Sequence, residues 1–174
     1  MQQLIIIRGP PGTGKSTIAN LIAKKLPDVV AVIDVDVLRW DFIKKRPNNF
    51  NDHNLVYKNL WDLTKNSIDE GLNVVLEGIL AGRDDIGKLR IDKYDYFKRK
   101  GVKVTKIFLI SKKKIQQERL KNRNKKFVAK IIKKDIQEWT KLSRESTSKD
   151  DIIIDTTGKS KEETVKEILL VVQK

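Results

Sequence analysis

The 174-residue chain has no cysteine and a single histidine, His53. Neither a disulfide framework nor a thiolate metal site can form, and one imidazole cannot build a histidine cluster. Any metal must therefore be held by oxygen ligands. No apolar run approaches the roughly 18–20 residues needed to cross a bilayer. The first residues enter a strand-like run instead of a basic-then-apolar leader, so a soluble cytoplasmic protein without a membrane partner is expected. Aromatic residues are few and are not interleaved with the basic ones, which argues against a row of stacking platforms for nucleic acid. The guanine-reading motif N-K-x-D is also missing, which argues against a GTPase.

Acidic residues are in deficit: 23 Asp and Glu face 37 Lys and Arg, for a net charge of +14. The imbalance is local. Between Lys98 and Lys134 stand sixteen Lys or Arg and one acid, Glu118, a segment of +15 in a chain otherwise near neutrality. Such a segment serves a triphosphate, serves a phosphorylated or polymeric acceptor, or simply keeps a helix solvated. Composition leaves these three open.

What is present is decisive at the amino-terminal end. Gly9-Pro10-Pro11-Gly12-Thr13-Gly14-Lys15-Ser16 follows the pattern G-x-x-x-x-G-K-[ST]. It is preceded by the apolar run Leu4-Ile5-Ile6-Ile7 and followed by Thr17 and apolar residues at helical spacing up to Leu26. Glycines let the backbone curl so that N–H groups point at phosphate oxygens, and the next helix adds the positive end of its dipole. In that arrangement Lys15 reaches the β- and γ-phosphates and Ser16 offers its hydroxyl to Mg²⁺. Gly9, Pro11, Gly12, Thr13, Gly14, Lys15, Ser16 and Thr17 are the expected nucleotide contacts, and ATP with Mg²⁺ the expected cofactors.

Periodicity over the rest alternates strands with helices, which predicts one α/β domain over 1–174 with a parallel sheet and right-handed crossovers. Strands are expected at about 3–8, 29–33, 73–76, 102–110 and 151–154. The second reads as a continuous apolar strand buried on both faces. Helices are expected at 15–25, 52–70, within 84–100, 112–122 with Ser111 as cap, and 161–172. The last opens on the capping box Ser160-Lys161-Glu162-Glu163. Residues 38–51 read as a short helix running into a loop. An interruption at about 122–131, before the pattern restarts at Ile131, reads as a lid.

Asp34-Val35-Asp36 leaves strand two beside the phosphate loop, where open α/β sheets bind ligands. A carboxylate there can orient a hydroxyl and take its proton, and Asp36 is the candidate. Its alternative reading is a helix cap near Val37. Glu77 ends strand three, with three open roles: holding Mg²⁺ through water, orienting the acceptor, or pairing with a nearby cation. Arg119 and Arg123, at i and i+4, share one helix face at the entry to the lid. They read either as a plain solvated face or as a pair of which one serves the phosphates and the other stacks near adenine. Arg83 is a further candidate for the acceptor. Trp61 and Trp139 fall on helical stripes and read as core, whereas Trp40 and Phe42 divide between packing and lining the acceptor cleft.

These elements resemble the nucleoside-monophosphate-kinase-like group of P-loop proteins, which includes shikimate and gluconate kinases, chloramphenicol phosphotransferase, zeta-toxin kinases and the kinase part of polynucleotide kinase. The chain is too short for the usual remodelling ATPase module. The resemblance implies a three-layer P-loop fold with a five-stranded parallel sheet of order 2-3-1-4-5 and a short helical lid. Asp36-Val37-Leu38-Arg39 is similar to the acid-x-x-Arg of polynucleotide kinase. That likeness implies that Asp36 is the base and that Arg39 grips the acceptor. Asp34-Val35-Asp36 is similar to the paired acids of shikimate kinase, which implies Asp34 near Mg²⁺. Catalytic roles then fall on Lys15, Asp36 and Arg123, and acceptor contacts on Asp36, Arg39, Trp40, Glu77 and Arg83.

The function expected is an ATP-dependent kinase acting on a hydroxyl of a small molecule, in a monomer or homodimer. A polynucleotide 5′-hydroxyl kinase and a non-catalytic nucleotide switch stand as alternatives.

Overall fold

The computed structural model describes residues 1–42, 50–81, 94–122 and 133–173. The strands are β1 (Gln3–Arg8), β2 (Val30–Asp34), β3 (Asn73–Gly78), β4 (Lys103–Ile110) and β5 (Ile152–Asp155). They form one parallel sheet in the order β2-β3-β1-β4-β5, the order implied by the kinase resemblance. The described helices are α1 (Lys15–Ala23), α2 (Val35–Val37), α3 (Phe50–Asp69), α4 (Asp95–Arg99), α5 (Lys113–Lys121), α6 (Lys133–Glu145) and α7 (Lys161–Val172). A π-type turn, Leu38–Phe42, continues α2.

Alternation along the strands divides the core into two layers. Leu4, Ile6, Val74 and Leu76 face α3 and α4 with Val56, Leu60, Trp61 and Phe97, whereas Ile5, Ile7, Val75, Ile107 and Leu109 face α1 and α7. Trp61 is buried in the first layer, as its helical stripe predicts, while Trp139 is half-buried. Leu60 is fully buried, and Leu60→Ala is expected to cost about 2–5 kcal/mol, read from denaturant unfolding.

Two sequence readings need correction. Strand two is not buried on both faces: β2 is an edge strand, and Val32 is exposed while Val29 just before it is 73% exposed. A continuous apolar run looks the same at an edge and at the centre, because burial depends on which strand lies alongside. Ser111 does not cap α5. Lys112 occupies that position without a side-chain bond, and the Ser111 hydroxyl is buried without a partner. Of the helix expected within 84–100, residues 84–93 lie outside the described residues, and Asp95–Arg99 is helical. The capping box at Ser160 is present in full, with hydroxyl and carboxylate bonds in both directions.

The basic segment also resolves into parts. Lys98, Arg99 and Lys100 lie exposed just before β4, and Lys112, Lys113, Lys114 and Lys121 lie exposed after it. An eight-residue strand separates the two groups by roughly 26 Å. Lys106, inside β4, is buried and bonded to Tyr94 and Ser148.

Candidate active site

The phosphate loop bridges β1 and α1 on three glycines of positive φ: Gly9 at 145°, Gly12 at 80° and Gly14 at 95°. At Gly12 a Cβ would lie 2.8 Å from the Gln116 carbonyl oxygen, and at Gly9 it would collide with the carbonyl of Leu109. The glycines therefore serve both the left-handed turns and the close approach of the loop to β4 and α5. Pro11 is buried, and Pro10 offers its carbonyl to the Thr13 hydroxyl at 2.9 Å and to the Lys15 ammonium at 3.2 Å. Lys15 is thus laid along the loop that it would help to charge.

Strand register brings the acids to this loop. Glu77 pairs with Asp34 on one side and with Ile7 on the other, so both carboxylates leave neighbouring parallel strands at one level on the α1 face. Asp34 then caps the following turn, accepting from the backbone N–H of Asp36 at 2.7 Å and of Val37 at 3.4 Å. The helix-cap reading thus belongs to Asp34, and Asp36 is left to other work. Asp36 stands in the first turn of α2, where its Oδ1 accepts from Arg39 Nη1 at 3.2 Å. Arg39 is buried, and its Nε has no partner.

Glu77 is 2% exposed. Burial, followed by the adjacent Asp34 carboxylate, pushes its pKa up to about 8, against the pull of Lys15 and Ser16. One of its oxygens, Oε1, is buried without a hydrogen-bond partner. Two carboxylates, one with an unsatisfied oxygen, and a serine hydroxyl make an all-oxygen donor set suited to Mg²⁺, which takes one or two carboxylates and completes its shell with phosphates and water. Among the described residues there is no group of three or more His, Cys, Asp or Glu that could hold a metal alone. Ligands from a nucleotide would be required.

Beside the loop lies a cavity of about 430 Å³, lined among others by Gly12, Thr17, Arg119, Thr156, Lys159 and Thr164. The Arg119 guanidinium is bound to the Thr156 hydroxyl at 2.9 Å and to its carbonyl at 3.0 Å. Thr156, Lys159, Ser160, Lys161 and Thr164 were not among the residues expected from the sequence. Position alone could have found Thr156, since it follows the carboxyl end of β5. Of the other expected residues, Arg83 and Arg123 and nearly all of the 122–131 lid lie outside the described residues, as does the side chain of Trp40. Phe42 is 69% exposed, so the packing alternative does not hold for it.

A family model described as AAA domain matches residues 5–140. The chain belongs to that family. No curated protein matches it in sequence. Among solved structures, the fold is similar to that of an unliganded sugar kinase from a Janibacter species, at 16% identity over 99% of this chain and 95% of that one, with a TM-score of 0.71. It is also similar to shikimate kinase from Aquifex aeolicus, at 23% identity over 98% and 96%, with a TM-score of 0.65. Mycobacterium tuberculosis APS kinase, solved with AMPPNP and APS, is similar at 15% identity over 99% and 98%, with a TM-score of 0.64. The fold is therefore that of P-loop small-molecule kinases. No described helix is long and apolar enough to cross a membrane.

Proposed function

We propose that the protein is a kinase that transfers the γ-phosphoryl group of Mg-ATP to a hydroxyl of a small molecule. The observation that carries this reading is the convergence of Lys15, Ser16, Asp34 and Glu77 at the ends of β1, β2 and β3, with Asp36 on the turn that Asp34 caps. A donor and an acceptor need adjoining sites, and in this reading the strand edge would supply both.

In this reading the loop amides and Lys15 cradle the triphosphate, while Thr17 and the Arg119–Thr156 wall border the space for the base. Ser16 and Asp34, with Glu77 nearby, would hold Mg²⁺, which neutralises charge on the β- and γ-oxygens. Asp36 orients the acceptor hydroxyl. As the bond from that oxygen to the γ-phosphorus forms, the bond to the β,γ-bridging oxygen breaks, ADP departs, and the hydroxyl proton passes to Asp36. Arg39, held against Asp36, steers the acceptor together with Trp40 and Arg83, and Arg123 neutralises charge on the transferred group. Among the described residues, the separation of the exposed basic groups at the two ends of β4 favours a small acceptor over a polynucleotide, which needs a continuous track of positive charge.

Calorimetry with Mg-ATP is the first test. The wild-type protein is expected to bind, and Lys15→Ala to lose at least about 100-fold in affinity, since an ammonium facing phosphate in a partly desolvated loop contributes several kcal/mol. A panel of sugars, nucleosides and aminocyclitol or amphenicol antibiotics then seeks the acceptor. Wild-type protein that folds but takes up no Mg-ATP would overturn the reading.

A further inference from the structure

Arg8, the last residue of β1, is a fully buried arginine directly before Gly9 of the phosphate loop. Its guanidinium lies over the Phe108 ring of β4, 5.3 Å from the centroid, and reaches past that strand to the corner between α6 and β5. There its Nε donates to Asp151 Oδ1 at 3.2 Å, and its Nη2 pairs with Asp151 Oδ2 and donates to the Ser146 carbonyl at 2.6 Å. Nη1 donates to the Ser146 hydroxyl at 3.2 Å. The Asp151 side chain is fully buried and also accepts from the backbone N–H of Ser148.

Asp151 begins the segment that becomes β5, a four-residue edge strand paired with β4. Just past the other end of β5, the Thr156 hydroxyl contacts the Thr13 carbonyl in the phosphate loop at 3.4 Å. Both ends of this short strand are thus tied across β4 to the loop or its entry. Thr156, Lys159, Ser160 and Thr164, which follow β5, line the 430 Å³ cavity together with Gly12, Thr13 and Gly14 of the phosphate loop.

We propose that Arg8 is a positioning residue for the nucleotide: by fixing the start of β5 to the entry of the phosphate loop, it sets how the cavity-lining residues that follow β5 stand relative to the loop. The proposal rests on the reading of this cavity as the nucleotide site. A ligand anchored at two points gains the benefit of both contacts only when their separation matches its own length. An arginine–aspartate pair out of water gives the fold little that apolar residues of similar size would not. Its planar fork, however, holds Asp151 and Ser146 in one geometry.

The test compares two probes by calorimetry: the non-hydrolysable analogue AMPPNP, which spans loop and wall, and inorganic tripolyphosphate, which needs the loop alone, each with Mg²⁺. The double variant Arg8→Met/Asp151→Leu replaces the pair with apolar bulk, and Arg8→Lys keeps the charge but removes the fork. In both, AMPPNP affinity is expected to fall, by about tenfold or more in the double variant, while tripolyphosphate affinity stays within about twofold of wild type. Equal losses for the two probes would mark Arg8 as merely structural, and unchanged AMPPNP binding would remove its role; either overturns the proposal. If the double variant does not fold, Arg8→Lys decides by the same comparison. Wild-type protein that binds tripolyphosphate but gains nothing from the nucleoside would also overturn it, leaving the phosphate-loop reading intact. Failure of wild type to bind either probe would bring down the function proposal as well.

Discussion

Asp36→Asn is expected to lower kcat for phosphoryl transfer by about 10²–10⁴-fold, the range by which positioned general bases act, while leaving Mg-ATP affinity unchanged. Asparagine keeps the shape of aspartate and retains an oxygen for Arg39 Nη1, but it cannot take the proton of the acceptor hydroxyl. The ion pair it loses is partly exposed, with the Asp36 side chain 38% accessible, so little stability should go with it. The backbone bond from Asp36 to the Asp34 cap is untouched by the exchange. Steady-state kinetics with an acceptor found in the panel, beside calorimetry with Mg-ATP, separates the effects. Loss of kcat with the affinity intact supports the base; full kcat in the variant would remove Asp36 from the chemistry.

Glu77→Gln is expected to change how stability depends on pH in the nucleotide-free protein. The folded state holds the Glu77 proton up to about pH 8, against an ordinary value of 4.5. Between these two values the folded protein carries a proton that the unfolded chain has released, so raising the pH costs stability. The stabilising contribution is complete below pH 4.5 and gone once the pH has passed through 8. At about 1.4 kcal/mol per pH unit, the full swing is roughly 5 kcal/mol. Glutamine imitates the protonated acid, since its amide can donate to the Asp34 carboxylate. Urea unfolding of wild type should weaken from pH 5 to pH 8, whereas Glu77→Gln should lack this component and be the more stable protein above pH 8. Parallel profiles for the two would show that Glu77 is ionised in the folded state.

How much of this was legible in the residues differs from site to site. The phosphate loop was legible because its chemistry is carried by main-chain geometry, and the glycines that permit it stand close together in the sequence. Asp34 and Asp36 were visible as a pair leaving a strand, but not their division of labour. Which of the two caps the turn depends on where the backbone bends after β2, and it is Asp34 that turns inward. The three readings of Glu77 could not be separated beforehand, because a carboxylate's character follows from its neighbours, and these come from α1 and β2. The wall of the cavity was missed for a similar reason. Thr156 and Thr164 carry no motif, and only the crossing of β5 beside β4 sets them against the phosphate loop.

The sequence by itself determined the alternation of strands and helices, the loop that curls around phosphate, and the absence of thiol chemistry and of a histidine cluster. Each of these depends on local spacing or on composition. Tertiary structure decided which strands lie at the edges, that Glu77 meets Asp34 and Lys15, and that Arg8 reaches Asp151 across β4. Those outcomes depend on strand order and register, which join residues far apart along the chain, and burial and charge take their values only after that joining has occurred.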